Sequence, residues 1–344
     1  MTVLEAKDVA GGASGGVGIR GVRSNLRSEA ELPILKRAED RWGELAEALG
    51  DPSIFRRIGE IEFYEKDADL DEVRAHVKRK EAHGIPTRLV QGDELRALEP
   101  NLADVIVAAL YCDRDGTSDH TKTTRALAAA AKKAGAAIRT GIRVRELVKR
   151  RSRVVAVEAE SGERIPVDGD LVLLANGGVK PLLAPLGPTL ATFDVNPVAL
   201  LTAPLPEPPS KHLVGHASRL LHAKALADAR FMITGGFIGT VSHETGEGEV
   251  PESTIAANLA EAVRVYPMLE GVKIERAVAD RFEAISPDRL PVFDSPSGID
   301  NLWIGTGSSG EGWAPSPVYT ALLADWVLER ERPELLAPFA LRKE

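Results

Sequence analysis

Hydrophobic positions along the chain recur at helical spacing in some stretches and form short apolar runs in others. Leu35, Trp42 and Leu49 belong to such a helical series, which predicts an amphipathic helix over residues 31–49 that Gly50 caps. Further helices are predicted over residues 71–82, 119–133, 253–265 and 316–331. Apolar runs predict strands over residues 59–64, 105–111, 137–140, 198–202, 231–240, 277–285 and 301–306.

The middle of the chain gives the clearest prediction of fold class. A helix and a strand are followed by three short β segments over residues 142–148, 154–158 and 163–167, which indicate a meander. Residues 171–175 are continuously apolar, as expected of a parallel strand that is buried on both faces. We therefore predict an α/β fold with a mixed, partly α+β, character.

Composition and charge exclude several classes of function. The 344 residues are 44% hydrophobic and 27% charged, which is typical of a globular protein with a substantial core. The net charge of −8, without a basic run, disfavours nucleic acid as a partner. No apolar stretch is long enough for a membrane span. The single cysteine, Cys112, excludes an internal disulfide and favours a reducing, cytoplasmic location.

Three glycine-containing turns are candidates for binding chemistry. Glu5 ends a β-rich run and precedes the glycine-rich residues 11–18, and an acid at such a strand end binds ribose hydroxyls in dinucleotide folds. The apolar residues 171–175 end in Asn176-Gly177, at the strand end where open α/β sheets bind ligands. Residues 305–312 contain four glycines and lead into a helix N-terminus, which stabilises negative charge. Ordinary tight turns explain the first two features about as well when each is taken alone, whereas four glycines in eight residues favour a ligand at residues 305–312.

Taken in order, these motifs resemble the D-amino-acid oxidase superfamily, in particular its sarcosine oxidase, glycine oxidase and amino-acid dehydrogenase branch. The resemblance also rests on residues 115–120, 141–144 and 286–291 and covers nearly the whole chain. It implies a Rossmann-like FAD-binding domain interleaved with an antiparallel or mixed-sheet substrate domain. The residues that it implies at the FAD are Glu5, Ser14, Gly15, Val144, Ala175, Asn176, Gly177, Gly305, Gly307, Ser308, Ser309, Gly310, Gly312 and Trp313.

The resemblance also divides the chain into domains. Residues 1–54, 116–180 and 286–344 are predicted to form the FAD-binding domain, whereas residues 55–115 and 181–285 form the substrate domain. The implied reaction is oxidation of the C–N bond of a small amine or amino acid, with a hydride passing to the flavin. The electron acceptor, and with it a possible partner subunit, is left open.

Charged residues suggest how a substrate is bound. Arg20 and Arg23 follow the first glycine loop and match an Arg-x-x-Arg pair of sarcosine oxidases, where paired guanidinium groups suit a substrate carboxylate. Two solvated arginines are an equally good interpretation. Arg281 is expected to share a strand face with Glu283. Glu283 or Glu311 is a candidate acceptor for a hydrogen bond from the substrate amine.

The chain also departs from the family pattern. It contains no Gly-x-Gly-x-x-Gly in a strand–turn–helix context, so we expect either an incomplete sequence or a lost phosphate-binding element. A flavin-deficient accessory or binding subunit is therefore kept as an alternative, together with a nicotinamide-dependent dehydrogenase. His212, His216 and His222 lack a carboxylate or cysteine to complete a ligand set, and no metal site is predicted.

Overall fold

The computed structural model describes residues 1–12, 18–65, 70–241 and 248–342. Ser14 and Gly15, which were predicted to contact FAD, lie outside the described residues. The described residues form the α-helices α1 (Leu32–Ala48), α2 (Leu70–Ala82), α3 (Gly92–Leu98), α4 (His120–Lys133), α5 (Val179–Leu183), α6 (Glu252–Val265) and α7 (Ser316–Glu329). None of these helices is long and apolar enough to cross a membrane.

Short strands carry most of the remaining hydrogen-bonded backbone. In chain order they are β1 (Thr2–Leu4), β2 (Ile19–Val22), β3 (Phe55–Arg57), β4 (Glu60–Glu65), β5 (Arg88–Gln91), β6 (Ile106–Cys112), β7 (Gly116–Asp119), β8 (Ala137–Arg139), β9 (Val144–Arg150), β10 (Arg153–Ala159), β11 (Arg164–Pro166), β12 (Leu171–Leu173), β13 (Phe193–Val195), β14 (Ala199–Thr202), β15 (Leu213–His216), β16 (His222–Ala225), β17 (Phe231–Thr234), β18 (Thr240–Val241), β19 (Gly248–Glu249), β20 (Ile274–Val278), β21 (Glu283–Ile285), β22 (Val292–Asp294) and β23 (Leu302–Thr306).

The chain divides into two compact units, each built from separated segments. Unit 1 contains Met1–Ala13, His120–Val195 and Phe282–Glu344, and unit 2 contains Ser14–Asp119 and Asn196–Arg281. The predicted α/β class with interleaved segments is confirmed by this arrangement.

Unit 1 contains both parallel and antiparallel strand pairs. Strand β1 pairs in parallel with β8, and β12 pairs in parallel with β23, which also binds β22 in the antiparallel sense. The predicted meander is present as β9, β10 and β11. Leu302 and Ile304 of β23 pack with Leu147, Val154 and Leu183 in one hydrophobic cluster. This cluster fixes the carboxyl ends of β12 and β23 beside each other.

Unit 2 is built around an eight-stranded mixed sheet in the order β20-β14-β17-β16-β15-β4-β6-β5. The β15–β4 pair is parallel, and the other pairs are antiparallel. One face of the sheet carries Ile61, Phe63 and Ala223, which pack in a core with Ala262 and Val265 of α6. Alternate residues of the same strands therefore face the opposite side.

Three predicted strands differ from the structure. Strand β12 was expected to be buried on both faces, but Val172 is 41% and Leu174 is 52% exposed, so the face on which these alternate residues lie is only partly covered. The strand predicted over residues 231–240 ends at Thr234, where Gly235 has a φ of 140° and leaves no room for a Cβ beside the Leu220 carbonyl. The strand predicted over residues 277–285 is two strands, β20 and β21.

The two units also have boundaries other than those predicted for the two domains. The described part of residues 14–54 packs in unit 2, because β2 and β3 both pair with β7, and Trp42 of α1 contacts Phe55. Residues 181–195 and 282–285 lie in unit 1. The assignment of FAD binding to one domain and substrate binding to the other stays a prediction.

Candidate functional site

Three segments of unit 1 meet at Asn176, in the turn that follows β12. Its side-chain Nδ2 donates to Phe282 O at 3.2 Å and to Glu283 Oε2 at 3.3 Å, and its Oδ1 accepts from Ala284 N at 3.1 Å. Its own carbonyl accepts from Thr306 Oγ1 at 2.8 Å, at the end of β23. Asn176 therefore joins the turn after β12 to β21 through its side-chain amide and to the end of β23 through its main-chain carbonyl.

Glu283 binds the same loop from the other side. Its carboxylate is buried, and Oε1 accepts from the backbone N–H of Gly310 at 3.0 Å. Both carboxylate oxygens thus have partners within the protein, since Oε2 accepts from Asn176. This geometry makes Glu283 a residue that positions the loop, which differs from its predicted role as an acceptor for the substrate amine.

The loop after β23 is stabilised by two serines. Ser286 N donates to Ser309 Oγ at 3.0 Å, and Ser286 Oγ donates to Gly307 O at 3.0 Å. Ser309 N donates in turn to Ala284 O at 3.1 Å. Backbone and side-chain hydrogen bonds within the protein therefore hold this loop against β21.

Tight packing accounts for three of the loop glycines. A Cβ at Gly305 would lie 2.6 Å from Leu174, one at Gly307 would lie 2.3 Å from Ser286 Oγ, and one at Gly312 would lie 2.6 Å from Ser308. Gly310 differs, because it is exposed, has a φ of 79°, and a Cβ there would meet nothing within 4 Å. Gly310 therefore presents an open stretch of backbone.

Other predicted residues lie at neighbouring positions of unit 1. Gly177 packs tightly, since a Cβ there would lie 2.7 Å from Asp194 Oδ1, and Ala175 immediately precedes the turn. The Trp313 ring meets the His120 ring edge to face at 5.9 Å between centroids. Glu311 Oε1 lies 3.3 Å from Arg289 Nη2.

Glu5 lies at the carboxyl end of β1, as the sequence predicted. Its backbone N–H donates to Arg139 O at 2.9 Å, and its Oε1 accepts from Lys7 N at 2.8 Å. Its second oxygen, Oε2, has no hydrogen-bonding partner within the part of the chain that the structure describes. Val144, at the start of β9, packs against the hydrophobic cluster of unit 1.

Arg20 and Arg23 lie in unit 2, on and just after β2. Arg23 Nη1 is 3.9 Å from Glu60 Oε1 and donates to Asn25 O at 3.3 Å. Burial and the nearby Asp115 raise the pKa of Glu60, so its carboxyl is a weak partner for Arg23 at neutral pH.

The predicted pairing of Arg281 with Glu283 on one strand face is wrong. Arg281 lies in a bend before β21 and in unit 2, whereas Glu283 begins β21 in unit 1. Arg281 Nη1 lies 3.0 Å from Asp280 Oδ2, which holds it to its chain neighbour. The two-residue spacing fails as a guide because the backbone is not extended between the two positions.

The three histidines do not meet. His212 Nδ1 lies 2.6 Å from Glu99 Oε1, whereas His216 Nδ1 accepts from Ser218 N and Arg219 N, both at 3.2 Å. Over residues 1–12, 18–65, 70–241 and 248–342, no group of three or more potential metal ligands is found.

Comparison with known proteins identifies the family. A family profile described as FAD dependent oxidoreductase matches residues 1–326. The chain belongs to this family, the FAD dependent oxidoreductases. The predicted resemblance to the D-amino-acid oxidase superfamily is thereby confirmed, and FAD is the cofactor of the family.

Relatives of this FAD dependent oxidoreductase include several D-amino acid dehydrogenases. The one from Rhizorhabdus wittichii is 26% identical over 305 residues, which are 87% of this chain and 70% of the relative. The one from Allorhizobium ampelinum is 28% identical over 282 residues, which are 80% of this chain and 64% of the relative. The chain covers 35% of a bifunctional protein ThiO/ThiG from Trichormus variabilis, so it spans only part of the length of such relatives.

Solved structures show the same fold. L-proline dehydrogenase from P. horikoshii superposes with a TM-score of 0.86 at 19% identity, over 97% of this chain and 88% of that one. Glycine oxidase from Geobacillus kaustophilus superposes with a TM-score of 0.81 at 22% identity, over 100% of this chain and 92% of that one.

The residues of this FAD dependent oxidoreductase fit two parts of its cofactor. The second carboxylate oxygen of Glu5, at the end of a parallel strand, suits a ribose hydroxyl. The open backbone at Gly310 and the N–H of Gly312, which has no partner among the described residues, suit a planar ring with polar edges.

Sequence reasoning missed the residues that support the site. The loop after β23 is bound by the side chains of Ser286 and Arg289, and the side chain of Thr306 binds the carbonyl of Asn176. The sequence motifs that contain these residues gave no sign of this supporting role. It also missed Lys224, which is buried in the sheet of unit 2. A lysine between alanines in a short apolar run was the available signal.

Proposed function

We propose that the protein is an FAD-dependent amine or amino-acid oxidase or dehydrogenase that oxidises a C–N bond. The single observation that carries the proposal is the family match over residues 1–326, supported by relatives that are D-amino acid dehydrogenases. When bound, FAD accepts a hydride from the carbon beside the nitrogen, and water then hydrolyses the resulting imine. The cytoplasmic location stays a prediction.

Residues of unit 1 bind the cofactor in this proposal. Glu5 accepts hydrogen bonds from the ribose hydroxyls, and the backbone around Gly310 and Gly312 faces the ring. Glu283 and Asn176 do not touch the substrate but hold this loop in place, through the N–H of Gly310 and the strand β21.

Residues of unit 2 bind the substrate carboxylate. Arg20 and Arg23 supply guanidinium groups, and burial raises the pKa of Glu60, so that its neutral carboxyl competes weakly with an anion for Arg23. The substrate amine reacts in its neutral form, and hydride removal from the neutral amine requires no strong base from the protein. The chemistry therefore selects small amines that carry a carboxylate.

The test is the spectrum of the purified protein with added FAD. We expect an absorption band near ~450 nm that bleaches without oxygen when a small amino acid is added, because the chromophore belongs to the flavin. A D-amino acid, an L-amino acid and glycine are compared as substrates. Protein that stays colourless with excess FAD would instead favour a flavin-deficient accessory subunit. Turnover of a pyridine nucleotide would favour a nicotinamide-dependent dehydrogenase.

A further inference from the structure

Lys224 lies on β16, in the interior of the eight-stranded sheet of unit 2, between β15 and β17. Its neighbour Ala223 belongs to the core that contains α6, so Lys224 faces the opposite side of the sheet. Lys224 is only 6% exposed. Its ammonium group forms no hydrogen bond or ion pair with any residue that the structure describes.

Strand β2 covers the same face of the sheet. Val214 pairs with Ala223, so the next pair along the strands places Leu213 beside Lys224. A Cβ at Gly21 would lie 2.9 Å from Leu213 Cδ2, which shows that β2 packs directly on this part of the sheet. Arg20 and Arg23, on either side of Gly21, are therefore near Lys224.

Electrostatics agree with this placement. Burial, followed by the positive charges of Arg20 and Arg23, lowers the pKa of Lys224 to about 7. The nearest acid in the same row of the sheet is Glu60 on β4, and Leu213 of β15 separates it from Lys224. Glu60 instead accepts from Asn25 N at 3.0 Å. His222 shares the strand and the face of Lys224.

A buried ammonium group without a partner is unfavourable unless a ligand supplies the missing negative charge. Hydrophobic residues of similar length would fill this position with less loss of stability. Lys224 therefore lowers the stability of the fold, and binding of an anion explains a lysine at this position.

We propose that Lys224 is a third cationic ligand, beside Arg20 and Arg23, for the carboxylate of the substrate. The anion supplies a negative charge to the buried ammonium group, and the two guanidinium groups add charge-assisted hydrogen bonds. The identity of this anion as a substrate rests on the proposed function, whereas the anion site does not. A carboxylate then binds more tightly in the protonated state of Lys224, so binding takes up a proton above neutral pH.

The experiment measures acetate binding to the purified full chain by calorimetry at pH 6.5, with acetamide as the uncharged probe. We expect K224M to raise the dissociation constant for acetate by about tenfold or more, because a charge-assisted bond is lost. K224R should restore most of the affinity. The matched control is K211M, which removes an exposed lysine of the same unit and should bind acetate as the unmodified protein does.

Two further measurements keep the outcome decisive. K224M should fold and unfold at higher urea concentration than the unmodified protein at pH 6.5, since it removes an uncompensated buried charge. Acetate affinity of the unmodified protein should fall between pH 6.5 and pH 9. K224M should show a clearly smaller fall, which comes from ionisation of Glu60 beside Arg23. Equal acetate affinity of K224M and the unmodified protein would overturn the proposal, and so would K224M and K224Q that both fail to fold.

These results separate the two proposals. Acetate binding that depends on Lys224, in a protein that never takes up FAD, leaves the anion site intact and rejects the oxidoreductase function. Flavin reduction by an amino acid, with acetate binding that K224M leaves unchanged, rejects only the role of Lys224.

Discussion

At the scale of single residues, two polar side chains organise the candidate FAD site. Asn176 connects the turn after β12 to β21 and β23, and Glu283 binds the N–H of Gly310. The sequence pointed to both positions but suggested contact with ligand, because a motif shows neither hydrogen-bond partners nor burial. Their effect on FAD is therefore indirect, through the shape of the loop.

Replacing Asn176 by alanine tests this supporting role. N176A removes hydrogen bonds to Glu283 and to the N–H of Ala284, so it should lower the free energy of unfolding by about 1–3 kcal/mol. It should also weaken FAD binding, because Glu283, which binds the N–H of Gly310, loses its hydrogen bond from Asn176. Urea unfolding and FAD titration measure the two effects.

Asn301 supplies the matched control for N176A. Its side chain is fully buried and makes three hydrogen bonds, to Val154 N, Val154 O and Gly169 O, at the start of β23 and not at its carboxyl end. N301A should destabilise the protein similarly while FAD affinity per folded molecule is unchanged. Equal loss of FAD affinity in both variants would contradict a specific role for Asn176.

Arg20 and Arg23 are the single residues that we propose bind the substrate carboxylate. R20A and R23A should each raise KM for a carboxylate substrate about tenfold or more with a smaller change in kcat, because binding and not hydride transfer loses an interaction. Steady-state kinetics with an amino acid and with the amine that lacks the carboxylate provide the comparison. R56A, at an exposed position of β3, is the control. Unchanged KM in both R20A and R23A would remove their role.

At the scale of elements, local patterns predicted helices better than strands. Helix α1 follows from hydrophobic periodicity within its own sequence, and the structure confirms it over Leu32–Ala48. The break after Thr234 depends on the carbonyl of Leu220, and the exposure of Val172 depends on how far other elements cover its face of β12. Such features depend on partners that are distant in sequence, so periodicity alone cannot reveal them.

The loop after β23 shows the same limit for glycines. Four glycines in residues 305–312 suggested ligand contact, but three of them are required by packing against neighbouring side chains. Only Gly310 combines a positive φ with open space. The motif therefore located the loop correctly without showing which glycine faces a ligand.

Three alanine substitutions distinguish glycines required by backbone conformation, by tight packing and by contact with FAD. Gly298 has a φ of 80° in an exposed turn with nothing near a Cβ, so G298A should lose about 1–2 kcal/mol from backbone strain alone. G307A should lose clearly more, because its Cβ would also overlap Ser286 Oγ. G310A should lose as much stability as G298A but bind FAD more weakly. FAD affinity of G310A equal to that of G298A would argue against Gly310 as a flavin-facing residue.

At the scale of the whole molecule, buried charge makes stability depend on pH. Strand β4 illustrates this with two acids whose pKa values move in opposite directions. Burial raises the pKa of Glu62 to about 7, whereas the hydrogen bond from Arg219 lowers the pKa of Glu65 to about 2. Sequence alternation places residues on faces of a strand, but it does not show which acids are fully desolvated. The interleaved order of segments was predictable, and the electrostatics inside each unit were not.

The sign of the pH effect follows from proton binding. Between about pH 4.5 and pH 7 the folded protein keeps the proton of Glu62, while the unfolded chain has released it. The free energy of unfolding contributed by Glu62 therefore falls as pH rises through this interval, by at most about 1.4 kcal/mol per pH unit for one proton. Glu60, whose pKa burial also raises, acts in the same direction.

E62Q should flatten this dependence, because glutamine carries no titrating proton. Urea unfolding at pH 5, 6 and 7 should give a smaller slope of the free energy of unfolding against pH for E62Q than for the unmodified protein. The remaining slope should fall further in a variant that also carries E60Q.

E65Q is the control on the same strand. The stability that Glu65 contributes is present above about pH 4.5 and is lost as pH falls towards 2. E65Q should therefore leave the slope between pH 5 and 7 unchanged and reduce the sensitivity below pH 4.5. An E62Q slope equal to that of the unmodified protein would mean that Glu62 is ionised in the folded state, and the desolvated acid on this face of the sheet would have to be Glu60 alone.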